Sequence, residues 1–403
     1  MIVEDYFVLD PDWQYHIEIG RIWRTSLQLS IGQTEKRARL KSYPSKRLLF
    51  TVVPFSADEN NYLRRKLYRG SGKIFGVPIW TDRCATTQAI SPATGTTFTV
   101  NDNSLRQFEV GAPLILHEDI NNYEVKEIVS IGSNSFTIDS SFTGTWASGV
   151  NVYPVLQGRI NSSHTLIEET TYGHAPLVME ITEEYDEDIT RTVYSGSSFS
   201  TYLGYPVLNL EPNRVSTPES LIEVFPEVTL FMSRGLDYTH TTEGQIRSAF
   251  VWNFESRSEA YELVKFFDEQ CGRWSNFWYP SWMDDVVITS PFDSSDTVLN
   301  IEDIEWSTYW SDTKANGRYI YVLLPDGTEI IRKIIGAPSS TQITVDSAMG
   351  TTITSLSGVI CCFLYMGRFN VDELTLEYIT EQYMGAKVEL ATLQDITGTT
   401  TTT

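Results

Sequence analysis

Ser256-Arg257-Ser258-Glu259 opens an apolar–polar run that reaches Leu263 and Phe267 and breaks at Cys271-Gly272-Arg273. The chain then passes Trp274, Phe277, Trp278 and Tyr279 to close on Pro280-Ser281-Trp282-Met283-Asp284. About 200 residues earlier the same order is found. Ser56-Ala57-Asp58-Glu59 opens a run through Leu63 and Leu67, Gly70-Ser71-Gly72-Lys73 breaks it, and Phe75 leads to Val77-Pro78-Ile79-Trp80-Thr81-Asp82. Ser56 with Glu59, and Ser256 with Glu259, fit a capping box, in which the serine hydroxyl and the acid satisfy backbone N–H groups that a helix start leaves free. Ala260, Leu263, Val264 and Phe267 share one helical face, which predicts packing on a sheet. Gly70 and Gly272 stand where a left-handed residue can end a helix.

Other segments repeat in order. Leu48 to Val53 precedes the first helix and Ala249 to Phe254 the second; Phe136-Thr137-Ile138-Asp139 corresponds to Ile343-Thr344-Val345-Asp346, and Gly158-Arg159-Ile160-Asn161 to Gly367-Arg368-Phe369-Asn370. Tyr172-Gly173 and Met384-Gly385 follow at similar distances. The reading is a mainly β chain with short helices, a tandem duplication of a split β module with one helix. Each copy would carry an inserted small β-barrel or sandwich, signalled by short β-prone runs between Gly, Ser, Thr and Asn. The expected units are 1–83 plus 158–195 and 196–285 plus 367–395 as modules, with 84–157 and 286–366 as inserts. Residues 396–403 read as a loose tail. Trp80 and Trp282 are expected to pack under the helices, and Asp82 and Asp284 to close turns.

Length and composition fit this scheme. The 403 residues suffice for several domains, and 12% aromatic content suits β-rich structure and interfaces. The formal net charge of −22 repels nucleic-acid phosphates over most of the surface, so no nucleic-acid face is expected. The strip Arg64-Arg65-Lys66 and Arg69 reads as one helix face, and Glu183 to Asp188 as a solvated acidic linker at the seam between copies. Cys84, Cys271, Cys361 and Cys362 lack metal-ligand spacing and read as small buried apolar side chains in a reducing compartment. No signal peptide or membrane span is expected. His16, His117, His164, His174 and His240 form no short-range constellation, and Gly70-Ser71-Gly72-Lys73 lacks the spacing of a phosphate loop. No cofactor, metal or catalytic set is expected.

Residues 262–278 resemble the short helix, Gly-Arg turn and aromatic strand of distal tail and baseplate proteins of long-tailed bacteriophages. Phe266, Phe267, Gly272, Arg273, Phe277, Trp282 and Asp284 carry the likeness. The first copy keeps Gly72, Phe75, Trp80 and Asp82 but has Lys66, Leu67 and Lys73 where the family has aromatics and arginine. The resemblance implies a non-enzymatic virion protein at the tip of a non-contractile tail, assembled in the host cytoplasm. It would form a ring between the sixfold tail tube and the central hub and fibres. A two-copy chain would close as a trimer with pseudo-sixfold symmetry, or as a hexamer. Phe75, Arg273, Trp274, Phe277, Trp278 and Tyr279 are the expected interface, with Arg273 as an ion-pair donor between modules.

Two other classes remain open. A glycan- or receptor-binding tail protein would need exposed aromatic rings beside carboxylates in a groove. Asp284 and Asp285 beside Trp282 offer such a sugar-binding subsite. A glycoside hydrolase acting on bacterial surface polysaccharide would need two convergent carboxylates.

Overall fold

The computed structural model describes residues 2–29, 35–70, 72–160, 176–216, 227–228, 236–237, 245–311, 316–393 and 400–402. Tyr172-Gly173, His164, His174 and His240 lie outside them. In chain order the first half holds β1 (Asp5–Tyr6), β2 (Ile17–Ile22), β3 (Thr25–Leu29), β4 (Glu35–Arg39), β5 (Ser45–Val52), α1 (Ala57–Arg69) and β6 (Phe75–Pro78). It continues with β7 (Cys84–Ala85), β8 (Thr97–Thr99), β9 (Pro113–His117), β10 (Tyr123–Gly132), β11 (Ser135–Ile138), β12 (Asn151–Ile160) and β13 (Leu177–Glu183). The second half opens with β14 (Thr201–Tyr202), β15 (Tyr205–Pro206), β16 (Arg214–Ser216), β17 (Glu227–Val228), β18 (Leu236–Asp237), β19 (Arg247–Phe254), α2 (Arg257–Glu269) and β20 (Phe277–Pro280). β21 (Val298–Asn300), α3 (Trp306–Tyr309), β22 (Tyr319–Leu323), β23 (Glu329–Ser339), β24 (Gln342–Val345), β25 (Ile360–Phe369), β26 (Glu373–Tyr378), β27 (Met384–Thr392) and β28 (Thr400–Thr402) complete it. The protein is mainly β with few short helices.

Strand registers recur between the halves. Gly158 of β12 faces Phe75 of β6 on one side and Glu183 of β13 on the other. Gly367 of β25 faces Phe277 of β20 and Thr392 of β27 in the same way. β13 runs antiparallel to β5, and β27 to β19. Two chain-local paths repeat as well. β9–β10–β11–β8 pair in succession, with β12 on β9 and β7, and a Thr86–Val100 bridge returns the circuit to its start. β22–β23–β24–β21 pair in the same succession, with β25 on β22 and an Ile288–Ile301 bridge. Even the breaks agree, since β10 shifts register after Ile128 and β23 after Ile334. A bulge of this kind bends a strand and increases its twist.

The boundaries expected at 157 and 366 fall inside continuous strands. Val152 of β12 pairs within the first circuit while Gly158 pairs with β6, so one strand serves both sheets. Phe98, Leu114, Phe136 and Val152 lie in a separate buried cluster of the first circuit, whereas Ile301, Val322 and Ile343 join the main core. Cys361 and Cys362 enter different clusters, as alternating positions of a strand must. All four cysteines are buried free thiols.

Both helices begin as their sequences predict, with one difference. Ser56 Oγ accepts from Glu59 N at 3.2 Å and Ser256 Oγ from Glu259 N at 3.3 Å. Each glutamate, however, accepts from the residue before the cap, Phe55 N at 2.7 Å and Glu255 N at 3.3 Å. Gly70 is not left-handed, with φ −94°. Its missing side chain is required by the Phe75 ring, because a Cβ there would stand 2.3 Å from Phe75 Cζ. Gly272, at φ +64°, does adopt the left-handed conformation. Of the expected loose tail, Thr400–Thr402 pairs in parallel with β4.

Candidate functional site

β2 is paired on both edges, and its partners come from different halves. Glu18 to Ile22 pair with Leu49 to Ser45 of β5, and Ile17 to Ile22 pair with Tyr378 to Glu373 of β26. The order β13–β5–β2–β26–β27–β19–β16 therefore runs unbroken from one half into the other. At Gly20 an added Cβ would meet the flexible end of Glu373, Oε1 at 2.4 Å, and the Arg47 side chain at 3.3 Å.

Three buried ion pairs fasten the same joint. Asp82 receives Arg257 Nη1 at 2.7 Å and also accepts Gln107 N at 2.8 Å. Arg257 Nη2 donates further to Thr81 O at 2.6 Å and Glu381 O at 3.1 Å. Burial, the largest single influence, would lower the Arg257 pKa, but the charge and hydrogen bond of Asp82 together with Tyr378 and Tyr261 hold the guanidinium above its ordinary range. Asp268, at the end of α2, binds Arg21 of β2 through both oxygens and accepts Trp23 Nε1 at 3.1 Å and Tyr194 N at 3.0 Å. Glu35 of β4 takes Arg368 of β25 in a fork, at 2.7 and 2.6 Å. Such bidentate pairs fix geometry as well as charge.

The β3–β4 hairpin is an arm laid by the first half onto the second. Arg37 Nη1 donates to Arg273 O at 2.9 Å, Arg37 Nη2 to Asn276 Oδ1, and the Arg39 guanidinium stands 5.3 Å from the Trp274 ring centre. Asp372 accepts both Thr25 N at 2.9 Å and Arg273 N at 3.1 Å. The stretch expected to be a solvated linker is fastened too. Asp186 is buried, and Gly196 N and Ser197 N donate to Glu269 Oε1 at 2.7 and 3.0 Å.

The expected interface residues divide accordingly. Phe75, Phe277, Trp278 and Tyr279 have no exposed surface in the chain, since β6 and β20 lie inside the sheets. Arg273 and Trp274 lie against the β3–β4 hairpin, through Arg37 and Arg39. Among the described residues Arg273 makes no ion pair, and Arg21, Arg257 and Arg368 supply the charge instead. Phe267 packs on Phe369 at 4.9 Å, beneath α2. Trp80 packs on His117 and Tyr153, and Trp282 on Tyr321, so both sit against the circuit strands rather than under the helices. Asp284 is exposed, and its neighbour Asp285 makes the hydrogen bonds, from Ser281 Oγ and from Phe363 N at 3.0 Å. Gly72 takes φ +80° in an exposed turn.

Little of this joint could be found from sequence. Asp82 to Arg257 spans 175 positions and Glu35 to Arg368 spans 333. The usable signal was charge in an apolar run, Arg21 within Ile17–Ile22 and Arg368 within Ile360–Phe369.

Of the histidines, His117 is buried with Nε2 3.0 Å from Val8 O, and burial pushes its pKa down. Among the described residues no group of three or more His, Cys, Asp or Glu is placed to hold a metal, and no helix is long and apolar enough to cross a membrane. Two grooves lie elsewhere. One, of about 380 Å³, is lined by Trp13, Ile379, Thr380, Glu381 and Gln382; the other, of about 400 Å³, includes the stacked Tyr43 and Tyr185 with Arg191 and Glu183. In comparisons with known proteins, no family model matches the chain and no curated protein matches it.

Proposed function

We propose that this chain is a structural, non-enzymatic component of a bacteriophage tail tip, built from one module copied within the gene. Each copy would carry a small inserted β-barrel. The protein would form a ring joining a sixfold tail tube to the central hub and fibres, working in the virion after assembly in the host cytoplasm.

The observation that carries this reading is the shared register. Gly158 and Gly367, with the neighbours they face, occupy matching places in the two halves, and so do the register shifts after Ile128 and Ile334. Two like units joined head to tail through β2 and β26 form a heterologous contact, and repetition of such a contact builds a closed ring or a filament. A trimer places six modules around an axis to meet a sixfold tube while keeping three distinct surfaces for a hub. A hexamer would place twelve. Negative-stain electron microscopy of the purified full chain tests this. Rings with threefold or sixfold symmetry are expected, and a field of single chains at every concentration overturns the assembly.

Receptor or glycan binding is a second reading, favoured by the half-exposed Trp13 beside Glu381 in one groove. An aromatic ring next to a carboxylate suits a sugar face and its hydroxyls. Trp13→Ala should abolish any glycan-array signal, and an unchanged signal places binding elsewhere.

A further inference from the structure

We infer that the groove between the β4–β5 link and the end of β13 is a binding site for an acidic sugar, one that carries a carboxylate or phosphate group. The site is separate from the Trp13 groove and does not depend on assembly of the chain. β5 and β13 run antiparallel with Arg47 opposite Thr182, so residues 40–45 and 183–185 meet at one end of the sheet. The chain after β13 turns back on itself, and Arg191 Nη2 donates to Glu184 O at 3.2 Å. The groove between these segments, about 400 Å³, falls within the range of small-molecule sites.

Charge in this groove is unevenly matched. Glu183 is taken by Arg191 and by Lys46 N at 2.8 Å, and Glu184 by Arg159 Nε at 2.8 Å. Arg24 and Lys41 have no such counterpart. Leu40 N donates to Arg24 O at 2.8 Å, which sets Arg24 beside the link, and Lys41 Nζ donates to Ser45 Oγ, a neutral group. Among the described residues neither cation makes an ion pair. Burial, and then the charges of Arg24 and Arg191, lower the Lys41 pKa, as expected of cations gathered without a matching anion. Arg191 adds an independent sign. Its side chain is 7% exposed, yet its Nε–H is buried with no acceptor among the described residues. Leaving a buried charged donor unsatisfied is costly. A bound carboxylate or phosphate would supply both the acceptor and the missing charge.

The remaining lining selects what carries the anion. Tyr43 stacks on Tyr185 with ring centres 6.1 Å apart, and the Arg191 guanidinium stands over the Tyr43 ring at 5.9 Å. Tyr43 is thus already engaged by its neighbours, whereas Tyr185 is 64% exposed. Its ring offers an apolar surface to the C–H face of a sugar. Ser42 and Glu184 line the same groove and supply polar oxygens for sugar hydroxyls.

Isothermal titration calorimetry of the full chain with methyl glucuronide, glucose 6-phosphate, methyl glucoside and inorganic phosphate tests the assignment. An anionic sugar should bind with Kd of about 1 mM or tighter, and the neutral glucoside and phosphate alone at least about tenfold more weakly. Arg24→Gln/Lys41→Gln and, separately, Tyr185→Ala should each weaken that binding by at least about tenfold, with thermal melting showing that both variants stay folded. Binding of one anionic sugar and not the other upholds the site and names its anion. No binding of either at about 10 mM overturns the site, and so does undiminished binding by the double variant. A glucoside as tight as the glucuronide overturns the role of charge. Phosphate as tight as glucose 6-phosphate overturns the sugar and leaves an inorganic-anion site. None of these outcomes bears on the tail-tip assembly, which electron microscopy decides separately.

Discussion

Asp82 is where a single side chain has most leverage. It has no exposed surface and receives Arg257, so Asp82→Ala would strand a buried guanidinium. Removing one partner of such a pair costs about 3–5 kcal/mol, which urea denaturation would register as a lowered midpoint. Asp284→Ala, at an exposed position, should change stability by no more than about 0.5 kcal/mol. His117 gives a pH signature. Burial holds its folded pKa below the ordinary imidazole value, so the unfolded chain takes up the proton first. The stability it contributes is complete above about pH 6.5 and is lost as pH falls below that value. Between pH 7 and 5, His117→Gln should show a flatter loss of stability than the wild type. An equal slope in both would remove His117 from the account.

At the scale of elements, the helices were legible because their determinants are local. Ser256 and Glu259 are three residues apart, and Ser256→Ala should cost about 1 kcal/mol in thermal or urea unfolding. The backbone N–H that donates to the glutamate was misplaced by one residue, since side-chain reach at a helix start is not fixed by spacing alone. Gly70 illustrates a deeper limit. Its requirement comes from Lys66 O and the Phe75 ring, 2.2 and 2.3 Å from an added Cβ, and not from backbone handedness. Gly70→Ala should therefore destabilise by overpacking, by about 1–3 kcal/mol. The tryptophans were misassigned for a related reason. Trp80 stands beside the helix in sequence order, but His117 and Tyr153, which it touches, arrive only through long-range pairing.

Across the whole molecule, the mainly β character with few short helices could be read from sequence, while the way one half grips the other could not. Aromatic strands looked like contact surface because composition does not distinguish an interface from a core. Their neighbours, β12 and β25, lie far along the chain and cover them. The shared strand β2 and the three buried ion pairs couple the halves. Calorimetry should accordingly give one transition, with calorimetric and van't Hoff enthalpies equal. Two resolved peaks would mean that the halves unfold independently.

The double pairing of β2 also sets a timetable. The second partner of this strand, Glu373–Tyr378, is translated roughly 350 residues after it. At elongation rates of about 5–20 residues per second that interval is roughly 20 to 70 s, during which one side of a nascent strand lacks its mate. Unpaired edges invite mispairing with other chains. Glu18 and Arg21, charged residues in an otherwise apolar strand, lower that hazard until β26 arrives.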